Sequence, residues 1–293
     1  MSSQPGKSNV DAAQAEDTFL NAARLNLEDP FRDGSLIRLP AYGQAVMTGD
    51  LHGHRKNLAK LQKYAMLDRV TARHVILHEI VHAELMHVAA VDHSHEVLLT
   101  AARYKCEHAD QVHFLQANHE LAQLTKYPIA KNGRAVVEGF DEAVEAVYGA
   151  DQAASVLAAI DEFIASLPLA ATTDSGVWMS HSLPNVYDMD EFDLGVFQRT
   201  LTREELENNE TVFDLVWGRR HSQEHIDRLA ELLGAEVFII GHQPQEMGYD
   251  LCFNRMIILA SDHNHGTFLP FDLSRKHTAE DLIRNIRKFV AVA

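Results

Sequence analysis

Five short apolar runs in this sequence each close on a side chain that can bind a metal, and that register constrains the fold more than any other feature. Residues 44–48 lead into Gly49-Asp50-Leu51-His52-Gly53, and 74–77 into His78-Glu79. Residues 112–116 lead into Ala117-Asn118-His119-Glu120, 176–180 into His181, and 237–240 into Gly241-His242. The runs alternate with helical patterns at 55–66, 94–107, 133–167, 203–217 and 222–233, which predicts an α/β architecture. In open α/β sheets ligands bind beyond the carboxyl ends of the strands, so tips that are distant in sequence can meet in space.

A lone histidine at a strand end is more often a hydrogen-bonded structural residue than a ligand, and Asn118 alone could simply cap a helix. Five such ends in register are a different matter. Carboxylates, an amide oxygen and imidazoles gathered out of water are costly unless a cation joins them, and together they suit hard-to-borderline divalent metals. Asp50 and His52 alternate about Leu51, so both side chains point the same way as the strand ends. Gly49 and Gly53 are expected to let the chain turn tightly on either side.

The remaining patterns fill in the organisation. A short helix is expected near 17–26, a hairpin over 249–253 and 255–260 turning at Asn254, and a last helix capped by Thr278 and ending near Val290. The expected division is an N-terminal extension, 1–40, and one catalytic domain, 41–293, with a helical insertion at 133–168. A formal charge of −16 argues against extended nucleic-acid binding. Cys106 and Cys252 are too few for a disulfide framework. No signal-peptide pattern or membrane-length apolar run is present, which together with the thiols leads to the expectation of a cytoplasmic protein that uses no membrane. His87, His93 and His95 read as solvated loop residues, and His263 and His265 as a loop that could face a substrate.

Taken in order, Gly49-Asp50-Leu51-His52-Gly53, Asn118-His119-Glu120, His181 and Gly241-His242-Gln243-Pro244 resemble the motifs of calcineurin-like metallophosphoesterases. The resemblance runs from about Ala45 to Leu273 and is strongest to the branch of serine/threonine protein phosphatases and bacterial diadenosine tetraphosphatases. It implies two facing mixed β-sheets flanked by helices, a four-layer sandwich. It also implies two divalent ions, manganese, iron or zinc. Metal one would be held by Asp50, His52 and a bridging Glu79, and metal two by Glu79, Asn118, His181 and His242. Val216-Trp217-Gly218-Arg219 is similar to a segment whose arginine binds phosphate, which makes Arg219 a catalytic candidate. The implied reaction is two-metal hydrolysis of a phosphate ester, with a shared water acidified by the paired ions. The implied substrate is a phosphoprotein, a dinucleotide polyphosphate or a small phosphate ester. His119 is the candidate general acid.

One stretch departs from the pattern. Where the family reads Gly-Asp-x-x-Asp-Arg-Gly, this chain has His78-Glu79-Ile80-Val81-His82-Ala83-Glu84. Glu79 then stands for the bridging aspartate, His82 for the aspartate that orients the catalytic histidine, and Ala83 for a phosphate-gripping arginine. The same residues spell His-Glu-x-x-His, the signature of zinc peptidases, which requires 78–82 to be helical. A third reading is a metal-binding module with this fold and no efficient turnover.

Overall fold

We describe residues 11–85, 90–131, 133–189 and 191–292 of a computed structural model of the chain. Two sheets face one another. The larger runs, in spatial order, through Arg32–Asp33, Leu36–Leu39, Ala170–Thr173, Val177–Ser180, Val237–Ile240, Met256–Leu259 and Tyr249–Cys252. The smaller runs through Arg287–Lys288, Thr267–Asp272, Gln44–Thr48, Arg73–Leu77 and Val112–Phe114. Both are mixed: Gln44–Thr48, Arg73–Leu77 and Val112–Phe114 are mutually parallel, whereas Thr267–Asp272 runs antiparallel to Gln44–Thr48.

The uninterrupted apolar runs are explained by burial on both faces. Side chains alternate between two cores. Ala45, Met47, Ile76, Met179, Val237, Ile239, Ile257, Leu259, Leu269 and Phe271 pack between the sheets. Their neighbours Val46, Val75, Leu77, Trp178, Phe238, Ile240, Met256, Ile258 and Phe268 pack outward under the helices. The result is the expected four-layer arrangement of helix, sheet, sheet and helix.

Several elements differ from the sequence expectation. The block at 133–167 is two helices, Val136–Tyr148 and Ala150–Ala165, parted by Gly149 at φ +81°. It is preceded by a two-stranded ribbon, Ala130–Lys131 with Arg134–Ala135. The pattern at 203–217 is likewise split, Arg203–Asn208 and Glu210–Trp217, with Asn209 capping the second helix. Thr278 caps the last helix through a capping box, but the helix stops at Asn285 because Arg287 and Lys288 pair with the edge of the smaller sheet. Residues before 41 are integral to the packing: helix Ala12–Leu27 buries Ala15, Phe19, Ala22 and Ala23, and Leu36–Leu39 is a strand of the larger sheet.

A buried polar group fastens this N-terminal region. Asp29 Oδ2 accepts hydrogen bonds from Lys105 Nζ at 2.7 Å and His113 Nδ1 at 2.8 Å, and Asp29 Oδ1 accepts from Phe31 N at 3.0 Å. His113 Nε2 lies 3.0 Å from His74 Nδ1. Among the described residues, no helix is long and apolar enough to cross a membrane.

Candidate metal centre

The site forms where the two sheets meet at their carboxyl ends. Asp50 and Ala260 form an isolated parallel bridge, Ser261 N donates to Asp50 O at 3.0 Å, and Gly49 N donates to Ser261 Oγ at 2.9 Å. This approach explains Gly49 better than a turn does, because a Cβ there would stand 2.0 Å from the Leu259 carbonyl oxygen. Gly53, at φ +71°, does turn as expected. Among the described residues, four of the eight non-glycine residues with positive φ are His52, Glu79, His82 and His242, all at this site. Such conformations cost on the order of 1 kcal/mol or more each and persist only where surrounding contacts hold them. Here Leu51 N and His52 N both donate to Glu79 O, at 2.8 and 2.9 Å, and Glu120 Oε1 accepts from Ile80 N and Val81 N at 2.6 and 3.2 Å. Glu120 is therefore the clamp on the Glu79 turn. The sequence displayed it beside Asn118 and His119 without disclosing that role.

The side chains converge in two groups around Glu79. On one side Asn118 Oδ1 lies 2.6 Å from His181 Nε2 and 3.1 Å from His242 Nδ1, and the two histidine nitrogens are 3.0 Å apart. Glu79 Oε2 completes this set, 3.6 Å from His181 Nε2. On the other side Glu79 Oε1 lies 3.4 Å from His52 Nε2 and 3.8 Å from His119 Nε2. His52 Nδ1 donates to the Val81 carbonyl at 3.0 Å, which leaves the Nε2 lone pair facing Glu79. Asp50 Oδ1 accepts from His242 N at 2.9 Å and lies 3.6 Å from both His78 Nδ1 and His181 Nδ1. The geometry thus draws His78 into the cluster, which the sequence reading did not, and sets His119 beside His52 and Glu79 in an arrangement that could hold a metal.

Electrostatically the buried ligand groups include no cationic side chain, Lys131 and Arg219 standing at the cleft lining. Burial pushes Asp50 and Glu120 up to about 7, and burial, then the charges of Asp50 and Glu120, pushes Glu79 well above the usual carboxylate range. The imidazoles go the other way. Burial, then the charge of Lys131, takes His52 down to about 3, and burial takes His78 to about 4. His119 and His181 are held well below the usual histidine range, first by burial and then by their neighbours. Neutral imidazoles, carboxylates short of a counter-charge and an amide oxygen offer more lone pairs than protons. N and O atoms 2.6–3.1 Å apart also match the edges of a coordination polyhedron with metal–ligand bonds of about 2.1 Å. The residues fit a divalent cation.

A cleft of about 340 Å³ opens over these groups, lined also by Lys131, Trp217, Arg219 and Asp262. Arg219 Nε donates to His242 Nε2 at 2.9 Å, and the same ring is within hydrogen-bond reach of the Trp217 carbonyl. His82 Nδ1 meets His119 Nδ1 at 2.8 Å, and His82 Nε2 meets Gln123 Oε1 at 2.8 Å. Lys131 was not singled out in the sequence, having no motif around it.

Residues 78–82 are not helical, and Glu79 and His82 have φ values of +49° and +60°. His78 turns to Thr48 and His181 while His82 turns to His119 and Gln123, so the pair cannot grip one zinc in the peptidase manner. His95 is buried on helix Ser94–Glu107 and not solvated, because that helix face packs on Phe140, whereas His93 is exposed. His87 lies outside the described residues. His263 Nε2 is tied to the Gln245 carbonyl at 3.0 Å, outside the cleft lining.

No family model matches the sequence, and no curated protein matches it. Solved structures do. A serine/threonine phosphatase from Saccharomyces cerevisiae, described as similar to human phosphatase PP5, superimposes with a TM-score of 0.69 at 15% identity, covering 97% of this chain and 91% of that one. A cold-active protein-tyrosine phosphatase from a Shewanella species gives a TM-score of 0.61 at 16% identity, covering 86% and 80%. The chain has the fold of these phosphatases.

Proposed function

We propose that this protein is a metal-dependent phosphoesterase with a dinuclear centre. The observation that carries the proposal is the placement of Glu79, whose Oε1 faces His52 and His119 while its Oε2 faces His181, with Asn118 and His242 beyond. One carboxylate turned toward two ligand sets is what a pair of ions needs for a shared ligand. The fold of the phosphatases above supports the same reading. His52, Glu79 and Asp50 would hold one ion, and Glu79, Asn118, His181 and His242 the other, as manganese, iron or zinc. Held there, two such ions would supply a water acidified toward neutrality and positive charge for phosphoryl oxygens.

The chain's own groups supply binding and proton movement. Arg219 and Lys131 line the cleft and bring the cations that a phosphate requires, Lys131 standing in for the charge lost at Ala83. Gln123 Oε1 can only accept from the His82 ring, so His82 carries its proton at Nε2 and accepts at Nδ1 from His119. His119 then presents Nε2 to the cleft. A phosphate dianion beside it favours the imidazolium, which can hand its Nε2 proton to the leaving oxygen. The substrate is a phosphorylated protein, a dinucleotide polyphosphate or a small phosphate ester. The unpaired Cys106 and Cys252 fit a reducing, cytoplasmic setting.

The test is metal analysis together with hydrolysis of an aryl phosphate. Two ions about 3.5–4 Å apart with turnover are expected. Bound metal without turnover on any of the three substrate classes would favour a binding module instead.

A further inference from the structure

We propose that His78 is a positioning residue: its ring carries a hydrogen-bond chain from the Thr48 carbonyl to His181 and so dictates that the His181 nitrogen facing the ligand cluster keeps its lone pair. The proposal rests on the metal-centre reading for its purpose but not for its geometry. A carbonyl oxygen has no proton to give, so His78 Nε2, 2.9 Å from Thr48 O, must be the donor. The other nitrogen of a neutral ring is an acceptor. His78 Nδ1 lies 3.0 Å from His181 Nδ1, which must then carry the His181 proton.

The consequence falls on the far side of the His181 ring. Its Nε2 keeps a lone pair, aimed at the set formed with Asn118 Oδ1, His242 Nδ1 and Glu79 Oε2. The opposite tautomer would donate from Nε2 to Asn118 Oδ1 at 2.6 Å, satisfying both groups and removing two donors from the set at once. His78 selects against that closed arrangement.

Its ring is held tightly. His78 is 1% exposed, and a Cβ on Gly241 would come within 2.5 Å of its Cε1. Asp50 Oδ1, at 3.6 Å from both Nδ1 atoms, is too distant to take either proton. The motif this stretch resembles has glycine where His78 stands, so the chain of contacts belongs to this sequence. Partners that orient a ligating histidine typically matter about 10–100-fold in metal affinity. The competing arrangement makes Asp50, His78 and His181 a cation site in their own right.

The experiment compares the full-length wild type with His78→Leu and His78→Gln. Zinc and manganese affinities are measured by chelator competition, and the His181 ring tautomer by long-range proton–nitrogen NMR. Glutamine can donate to Thr48 through Nε2 and accept from His181 through Oε1. His78→Gln should therefore keep affinity within about threefold, while His78→Leu should lose about 10–100-fold. The His181 proton should sit on Nδ1 in the wild type and His78→Gln, and shift toward Nε2 in His78→Leu. Equal affinities in wild type and His78→Leu would overturn the proposal, as would the loss of one whole ion per chain in both variants, which would make His78 a ligand. The wild-type tautomer decides by itself if His78→Leu does not fold: a His181 proton on Nε2 overturns the proposal. A wild type that binds neither ion defeats the metal-centre reading, and the tautomer still rules on the His78 chain.

Discussion

Strand Arg73–Leu77 has a buried histidine group at each end, and the two groups solve opposite problems. At its start, His74, His113 and Lys105 surround Asp29, which accepts from both an ammonium and an imidazole. Burial alone would raise the Asp29 carboxyl, but the hydrogen bond and charge of His113, with Lys105, hold it well below the usual range. Past its other end, Asp50, Glu79 and Glu120 sit among neutral imidazoles, and burial pushes all three carboxyls up. Histidine content is similar in the two places. What differs is the ratio of protons to lone pairs: the first group is closed, and the second is left open to a cation.

The contrast breaks most severely at Glu79. Glu79→Gln removes one charged oxygen shared by two ligand sets, and since orienting partners alone are worth about 10–100-fold, turnover should fall on the order of 10³-fold or more, with metal content falling alongside. Metal analysis and aryl phosphate assays would check both. Asp29→Asn should leave metal content at wild type yet cost about 3–5 kcal/mol in urea denaturation, because Lys105 would remain buried without its anion. If instead Asp29→Asn lost metal and kept stability, the two groups would be one network and the comparison would fail.

Acid titration separates them further. Burial, then the charge of His113, takes His74 down to about 4 from an unfolded value near 6.5. A base depressed on folding contributes fully above the unfolded value, and that contribution is lost as pH falls from about 6.5 to about 4. The shift corresponds to about 3 kcal/mol, so His74→Gln should flatten the stability profile by about that much across this window. Arg219→Ala gives the smallest effect expected, a loss on the order of 10²-fold in turnover with metal stoichiometry unchanged. Loss of metal in Arg219→Ala would mean that the arginine supports His242 and does not serve the phosphate.

How far the sequence disclosed this molecule depended on where each signal lay. Strands Gln44–Thr48 and Val237–Ile240 and helix Ser94–Glu107 were legible to the residue, since apolar runs and helical periodicity ended at clear punctuation. Ala170–Thr173 and Leu36–Leu39 were not, the first being small and polar and the second short and followed by Pro40. Thr267–Asp272 carries Pro270 inside a strand, which reads as a breaker. At the site, Asp50, His52, Glu79, Asn118, His181 and His242 were named from strand ends, and the structure places their side chains in adjoining groups on either side of Glu79. His78 was read only as a strand-end residue and a ligand of the peptidase alternative; its contact with His181 escaped because its direction is set by Thr48 on the adjacent strand, a relation with no spacing signature. The Asp29 group escaped entirely, its members being scattered over three elements and a loop without a motif.

The seam at Asp50 and Ala260 also has a kinetic meaning. Segments that carry ligands are usually the first to open locally and exchange their amide hydrogens. Here the amides of Leu51, His52 and Gly53 end on carbonyls of residues 79 and 80, that of His242 ends on Asp50, and that of Ser261 crosses between the sheets. The last two cannot be released without parting the two sheets, so the amides of His242 and Ser261 should exchange as slowly as the central strands, and only when the whole sandwich comes apart.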